Sequence, residues 1–226
     1  MDFLEQKTVL THLIACLLSS ILIYSCDNKN KYLPYYNSPD FTPIFLNNSK
    51  EIKEKITHKI SDFEFRNQSN EIITHDSING KVHIANFIFT SCINICPNMT
   101  SNMKIVENEF INDPRVQILS FSVMPWVDDI KKLNDYKNYH EINSNNWHFL
   151  TGEKNKIYKL ARESYFAEEN IGFSSDLSDF LHTEYFILVD QGKRIRGIYN
   201  GTLRLEAIQL IDDIKTLLNN ENWSNI

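Results

Sequence analysis

From Ile60 to Leu218 the apolar positions switch between two periods. Asp62 to Arg66 alternates residue by residue, Gln68 to Asn70 makes a turn, and Ile72 to Thr74 is a second short apolar run, so two strands are expected. Asn79-Gly80 is a turn signal ahead of Lys81 to Phe89, whose nearly unbroken apolar run predicts a strand buried on both faces. The spacing then turns helical: Met99, Met103, Val106 and Phe110 recur at three to four residues over Pro97 to Phe110. Methionines at that spacing are expected in the core rather than in a metal-handling stripe. Val116 to Val123 is another continuous strand, Asp128 to Tyr139 a polar helix, Trp147 to Leu150 a short strand, and Glu153 to Tyr165 a helix. Glu184 to Val189 and Ile195 to Tyr199 form a hairpin across Asp190 to Lys193, and Leu203 to Leu218 is a clean amphipathic helix.

Strands alternating with helices, closed by a hairpin and a last helix, predict an α/β domain over 60–220 with a central mixed sheet flanked by helices. A thioredoxin-like fold has that order. Upstream, Asn30 to Asn48 carries Pro34, Pro39 and Pro43 among Tyr, Asn and Ser, so 26–59 reads as a linker. Its aromatics, Tyr35, Tyr36, Phe41 and Phe45, suggest that part of it lies down on the domain. Asn48 to Lys59 is polar and poorly periodic and carries no assignment.

Thr8 to Ser25 is uncharged and mostly apolar, then breaks sharply at Asp27. Its length lies between an export signal and a short membrane span. The Ile23-Tyr24-Ser25-Cys26 junction resembles a lipoprotein signal, with residues 1–25 removed and lipid on Cys26; an uncleaved signal anchor is the alternative. Both readings export the domain and tether it to a membrane.

Composition narrows the class. Apolar content of 42% suffices for a real core, and a net charge of −6 argues against a nucleic-acid footprint. Of the four cysteines, Cys16 and Cys26 lie in the N-terminal apolar segment, which leaves Cys92 and Cys96 for the folded domain. A disulfide-stapled secreted fold would use more. The apolar run stops at Thr90-Ser91, three residues separate the two cysteines, and Pro97 follows, so a helix is expected to start at about Cys96 or Pro97. Both sulfurs then lie near a helix N-terminus, where exposed N–H groups and the helix dipole favour thiolate.

Cys-x-x-x-Cys is one residue longer than the thioredoxin spacing and leaves room for a third ligand on a soft ion such as Cu(I). Zinc would ask for a fourth residue. Among seven histidines, His83 reads as a core residue and His148 as structural, His58, His75 and His140 as solvated, and His12 falls in the signal. His182 stands apart in the loop before the Tyr185 to Val189 strand, where thioredoxin-like oxidoreductases place a proline facing the cysteines.

Phe89-Thr-Ser-Cys92-x-x-x-Cys96-Pro97-x-Met99-Thr100, with His182 ahead of a Phe-Ile-Leu-Val-Asp strand and hairpin, resembles the Sco/SenC family over about Ile60 to Leu218. The resemblance implies a membrane-tethered thioredoxin-like domain on the periplasmic side that binds copper, as Cu(I) with Cu(II) also open, through Cys92, Cys96 and His182. It implies a metallochaperone rather than an enzyme. Its partner would be cytochrome c oxidase subunit II, whose CuA site it would supply with copper or keep reduced, or another envelope cuproprotein. Where the family commonly has Asp-Pro-Glu, this chain reads Met124-Pro125-Trp126, so an acid near the site would have to come from Asp128 or Asp129. The competing function is a thiol–disulfide oxidoreductase, with Cys92 attacking and Cys96 resolving.

Overall fold

A computed structural model describes residues 32–168 and 180–219. Its strands are β1 (Tyr35–Tyr36), β2 (Pro43–Ile44), β3 (Glu64–Asn67), β4 (Ile72–Thr74), β5 (Val82–Ile88), β6 (Val116–Ser122), β7 (Trp147–Thr151), β8 (Tyr185–Val189) and β9 (Ile195–Asn200). The helices are α1 (Ser49–Lys55), α2 (Ile95–Phe110), α3 (Ile130–Tyr139), α4 (Lys154–Lys159, continued by a π-helical turn over Leu160–Ser164) and α5 (Arg204–Asn219). The residues read as signal or anchor, and Cys26, lie outside the described ones. Among the described residues no helix is long and apolar enough to cross a membrane.

One sheet joins the strands in the order β2-β1-β9-β8-β5-β6-β7-β3-β4. β5, β6 and β7 run parallel, β8 lies antiparallel to β5, and the remaining pairings are antiparallel. This is the mixed sheet that the periods predict. The apolar runs of β5 and β6 are continuous because both faces are covered. Val82, Ile84 and Ile88 face the core under α2, α3 and α5, with Met99, Met103, Leu133 and Leu210, while Ala85 and Phe87 face the core under α4, with Ile157 and Tyr165. Met99 and Met103 are fully buried, as expected of core residues at helical spacing.

The stretch read as a linker contributes β1, β2 and α1, and its aromatics do lie down. β1 pairs with β9, and Tyr35, Ile52 and Ile56 are buried. The reason is a charge that sequence cannot show to be buried. Arg196 on β9 is sealed in, paired with Asp190 at 3.1 Å. It donates to the carbonyls of Leu33 and Pro34 and lies 3.7 Å from the centre of the Tyr35 ring. The guanidinium needs those acceptors, and they fix the chain from Leu33 onward.

Three histidines read as solvated are instead packed. His58 stacks on Phe166 at 4.1 Å and reaches the Ser164 carbonyl, His75 lies 3.3 Å from Asp62 beside Phe63, and His140 packs on Tyr136. His83 and His148 are structural. His83 is fully buried against the Tyr165 hydroxyl, and His148 bridges Asn67 and Gln117 between strands.

Two outcomes follow from this packing. Tyr35→Ala removes the ring over Arg196 and is expected to cost about 3–5 kcal/mol in denaturant unfolding. Burial pushes His83 down to about 3 and His148 to about 4, against 6.5 for the exposed group. Between those values the unfolded chain binds protons that the fold refuses. Stability is therefore full above about pH 6.5 and falls as pH drops, each histidine removing about 2 kcal/mol by pH 5. His148→Gln should flatten that slope; an unfolding free energy equal at pH 7.5 and pH 5 would contradict the assignment.

Candidate functional site

The site lies where β5 and β6 end, at the carboxyl edge that open α/β sheets use for ligands. Past Ile88 the chain turns, Cys92 N–H donating to Phe89 O at 3.2 Å, and enters α2 at Ile95, so Pro97 is the third residue of the helix rather than its first. Pro97 still falls within the first turn, where a missing N–H costs nothing.

The loop is pinned from below. Asp128, fully buried just before α3, accepts from Thr90 N at 3.1 Å, from Thr90 Oγ1 at 2.6 Å and from Ser122 Oγ at 2.6 Å. Thr151 Oγ1 donates to its carbonyl at 2.8 Å. Met124 is half-buried against the core on the α4 side, and Asp128, four residues on, is the carboxylate that meets the start of the loop at Thr90. Thr90 and Ser122 were not singled out in the sequence, though the abrupt Thr90-Ser91 break marked where one of them acts.

The helix start is uncapped by its own neighbour: the Asn94 side chain accepts no hydrogen bond from α2. Cys92 sulfur takes that role, accepting from Cys96 N at 3.4 Å. Burial raises the Cys92 thiol, but the N–H groups of Cys96, Asn94 and Ile95 outweigh it and hold the pKa below the ordinary value. Cys96 goes the other way. It is buried beneath the loop, and desolvation, with added contributions from Cys92 and the Asp128 charge, pushes its pKa up to about 12. The two thiols are unbridged. One sulfur is thus half-buried with its pKa lowered, the other sequestered with its pKa raised.

His182 lies in the stretch leading into β8. Phe180, two residues before it, packs edge-on to Phe89 with ring centres 5.8 Å apart, which brings the stretch to the end of β5, where the cysteine loop begins. Its imidazole is half-buried, between the buried Leu181 and Thr183. Among the described residues, however, no three of His, Cys, Asp and Glu gather closely enough to hold an ion. The fold brings the two cysteines together and His182 to the same edge of the sheet, without closing the three donors on one point.

Residues 35–219 match the family model described as SCO1/SenC. The chain belongs to the SCO1/SenC family. A SCO1 protein homolog of Bacillus subtilis is 31% identical over 169 residues, 74% of this chain and 86% of that one. The structure of BsSco, described as having a disulfide switch and as a member of the Sco family of cytochrome c oxidase assembly proteins, is 29% identical with a TM-score of 0.60, covering 73% of this chain and 95% of that one. A SCO1/SenC family lipoprotein from Bacillus anthracis gives 28% and 0.61, covering 73% and 97%. The match begins at Tyr35, where β1 joins the sheet, so this SCO1/SenC domain takes in β1, β2 and α1 along with the rest.

The thiol asymmetry is directly measurable. Iodoacetamide at pH 8 should modify Cys92 in the reduced native protein while Cys96 stays silent until denaturant is added, read by peptide mass spectrometry. Equal labelling of both would refute the buried, protonated Cys96.

Proposed function

We propose that this SCO1/SenC protein is a metallochaperone that takes up copper between Cys92 and Cys96, closes His182 on it as third ligand, and passes it to the CuA site of cytochrome c oxidase subunit II or to another envelope cuproprotein. The observation that carries the reading is the unbridged thiol pair at the first turn of α2, with backbone N–H groups already directed at Cys92 sulfur. Two soft sulfurs without two further donors suit Cu(I) and leave Zn(II) short of its four ligands. The copper is cargo. Cys92 meets it first as the accessible thiolate, Cys96 follows on giving up its proton, and His182 must move in from its place at the same sheet edge. An N-terminal tether, by lipid on Cys26 or an uncleaved span, would hold the domain against the outer face of the membrane.

Copper stoichiometry on the reduced protein tests the reading. One tightly held Cu(I) is expected in the wild type, abolished by Cys92→Ser or Cys96→Ser and weakened sharply by His182→Ala. Wild-type affinity in all three variants would sink it.

The same thiol asymmetry favours a second reading, reduction of a partner's disulfide. Cys92 thiolate would attack one sulfur, a mixed disulfide would form as the other partner sulfur leaves as thiolate and takes up the Cys96 proton, and Cys96 thiolate would attack Cys92 sulfur and release the partner sulfur bound there, leaving Cys92–Cys96 oxidised and the partner dithiol reduced. That activity should survive His182→Ala and vanish in Cys92→Ser. Copper binding would not.

A further inference from the structure

We infer that Asn102 is a positioning residue for His182: from the helix that carries Cys96 it grips the turn between β9 and α5, and that turn holds the backbone two residues beyond His182. The inference rests on the copper reading above and adds a residue that lies outside both the cysteine motif and the ligand set.

The first link is backbone to backbone. Gly201 N–H donates to Glu184 O at 2.7 Å, which carries the β8–β9 ladder one pair past Tyr185↔Asn200, toward His182. Glycine permits the approach: a Cβ at this position would lie 2.9 Å from Glu184 O and 2.5 Å from the Phe186 ring. The turn is also closed on itself. Thr202 N–H donates to Asn200 Oδ1 at 2.9 Å and Leu203 N–H to Asn200 O at 3.1 Å. The Thr202 hydroxyl lies 2.6 Å from Asn200 Oδ1 and 3.3 Å from Glu184 Oε2. A turn bonded to itself in this way moves as one piece, and Glu184 moves with it.

α2 holds that piece from the other side. Asn102 is buried, and its Nδ2 donates to Gly201 O at 2.8 Å. Asn98, one helical turn nearer Cys96, donates from Nδ2 to Thr202 O at 3.1 Å. Residues four apart share a helix face, so the two amides take consecutive carbonyls of the turn. A buried amide left without its partner is costly, which keeps Asn102 on Gly201. Gly201 is thus bonded through its N–H to the segment bearing His182 and through its carbonyl to the helix bearing Cys96. On the near side of His182, Phe180 packs on Phe89, whose carbonyl accepts from Cys92 N–H. His182 therefore lies between two points that are each tied to a cysteine-bearing element. The reach of an imidazole that must close on an ion is set by such supporting groups, as metal-ligand orientation generally is.

The test is a double-mutant cycle read as Cu(I) affinity, by competition with bicinchoninate on the reduced full-length protein. The four forms are wild type, Asn102→Ala, His182→Ala and the double variant. Asn102→Ala is expected to loosen Cu(I) about tenfold in the wild type and to change nothing in the His182→Ala background. Equal loosening in both backgrounds overturns the inference, as does no loosening where His182→Ala does loosen; the copper reading survives either result. No loosening by His182→Ala itself overturns both. Asn98→Ala, at an exposed position, removes the second grip without emptying the core. It is expected to loosen Cu(I) by a smaller factor, again only where His182 is present, and it decides by the same criteria where Asn102→Ala does not fold.

Discussion

The arrangement depends on one buried carboxylate. Asp128 sits in the core without an ion pair among the described residues, and three donors, the Thr90 N–H, the Thr90 hydroxyl and the Ser122 hydroxyl, make that tolerable. Each of those bonds is also a constraint on where the chain can go as it leaves β5. Without the carboxylate, Thr90 would present an unpaired backbone N–H at the base of the cysteine loop. Unmet buried donors are costly enough that the loop would have to find another path. The same charge bears on Cys96 and helps keep it protonated. A single group thus fixes the start of the loop and adds to the inequality of its two thiols, which the burial of Cys96 chiefly creates.

Around that point the fold works by exclusion. β5 and β6 are covered on both faces, so the chain meets solvent only at their ends, and both ends that carry chemistry are carboxyl ends. The helix that follows β5 starts with its N–H groups aimed at Cys92 because Asn94 does not cap it and the sulfur does. Capping normally stabilises a helix. Here the stabilising acceptor is the reactive atom, so the loss of a proton from Cys92 strengthens the cap rather than straining it.

Much of this was readable in advance, for identifiable reasons. Period-two and period-3.6 patterns place β3 through β9 and α2 through α5, because each of those elements buries a defined face. The Cys-x-x-x-Cys spacing, with proline behind it, locates the site without any view of the sheet. What escaped the sequence shares a different character. β1 and β2 are two residues long, too short for any period, and they join the sheet because Arg196 needs the Leu33 and Pro34 carbonyls. His58, His75 and His140 sit in polar runs yet meet aromatic faces contributed by residues near and far in the chain. Tyr158 reads as one more position of an ordinary helix. Its hydroxyl finds a partner only once the Val123 carbonyl arrives from the end of β6. Burial of a polar group by long-range partners is the information a local pattern does not carry.

The separation of His182 from the cysteine pair bears on how cargo could be handled. A site with all donors fixed on one rigid element binds tightly and releases slowly, since every ligand must be lost at once. Two thiols on one loop and an imidazole on another divide the process. Under the proposed copper reading the ion would be gripped by the sulfurs, closed over by the histidine, and released again by the movement of that one residue. Each tenfold of affinity is only about 1.4 kcal/mol, so a modest closing energy at His182 is enough to distinguish a state that holds copper from one that yields it. A partner whose own thiolates displaced that imidazole would not need to compete with all three donors.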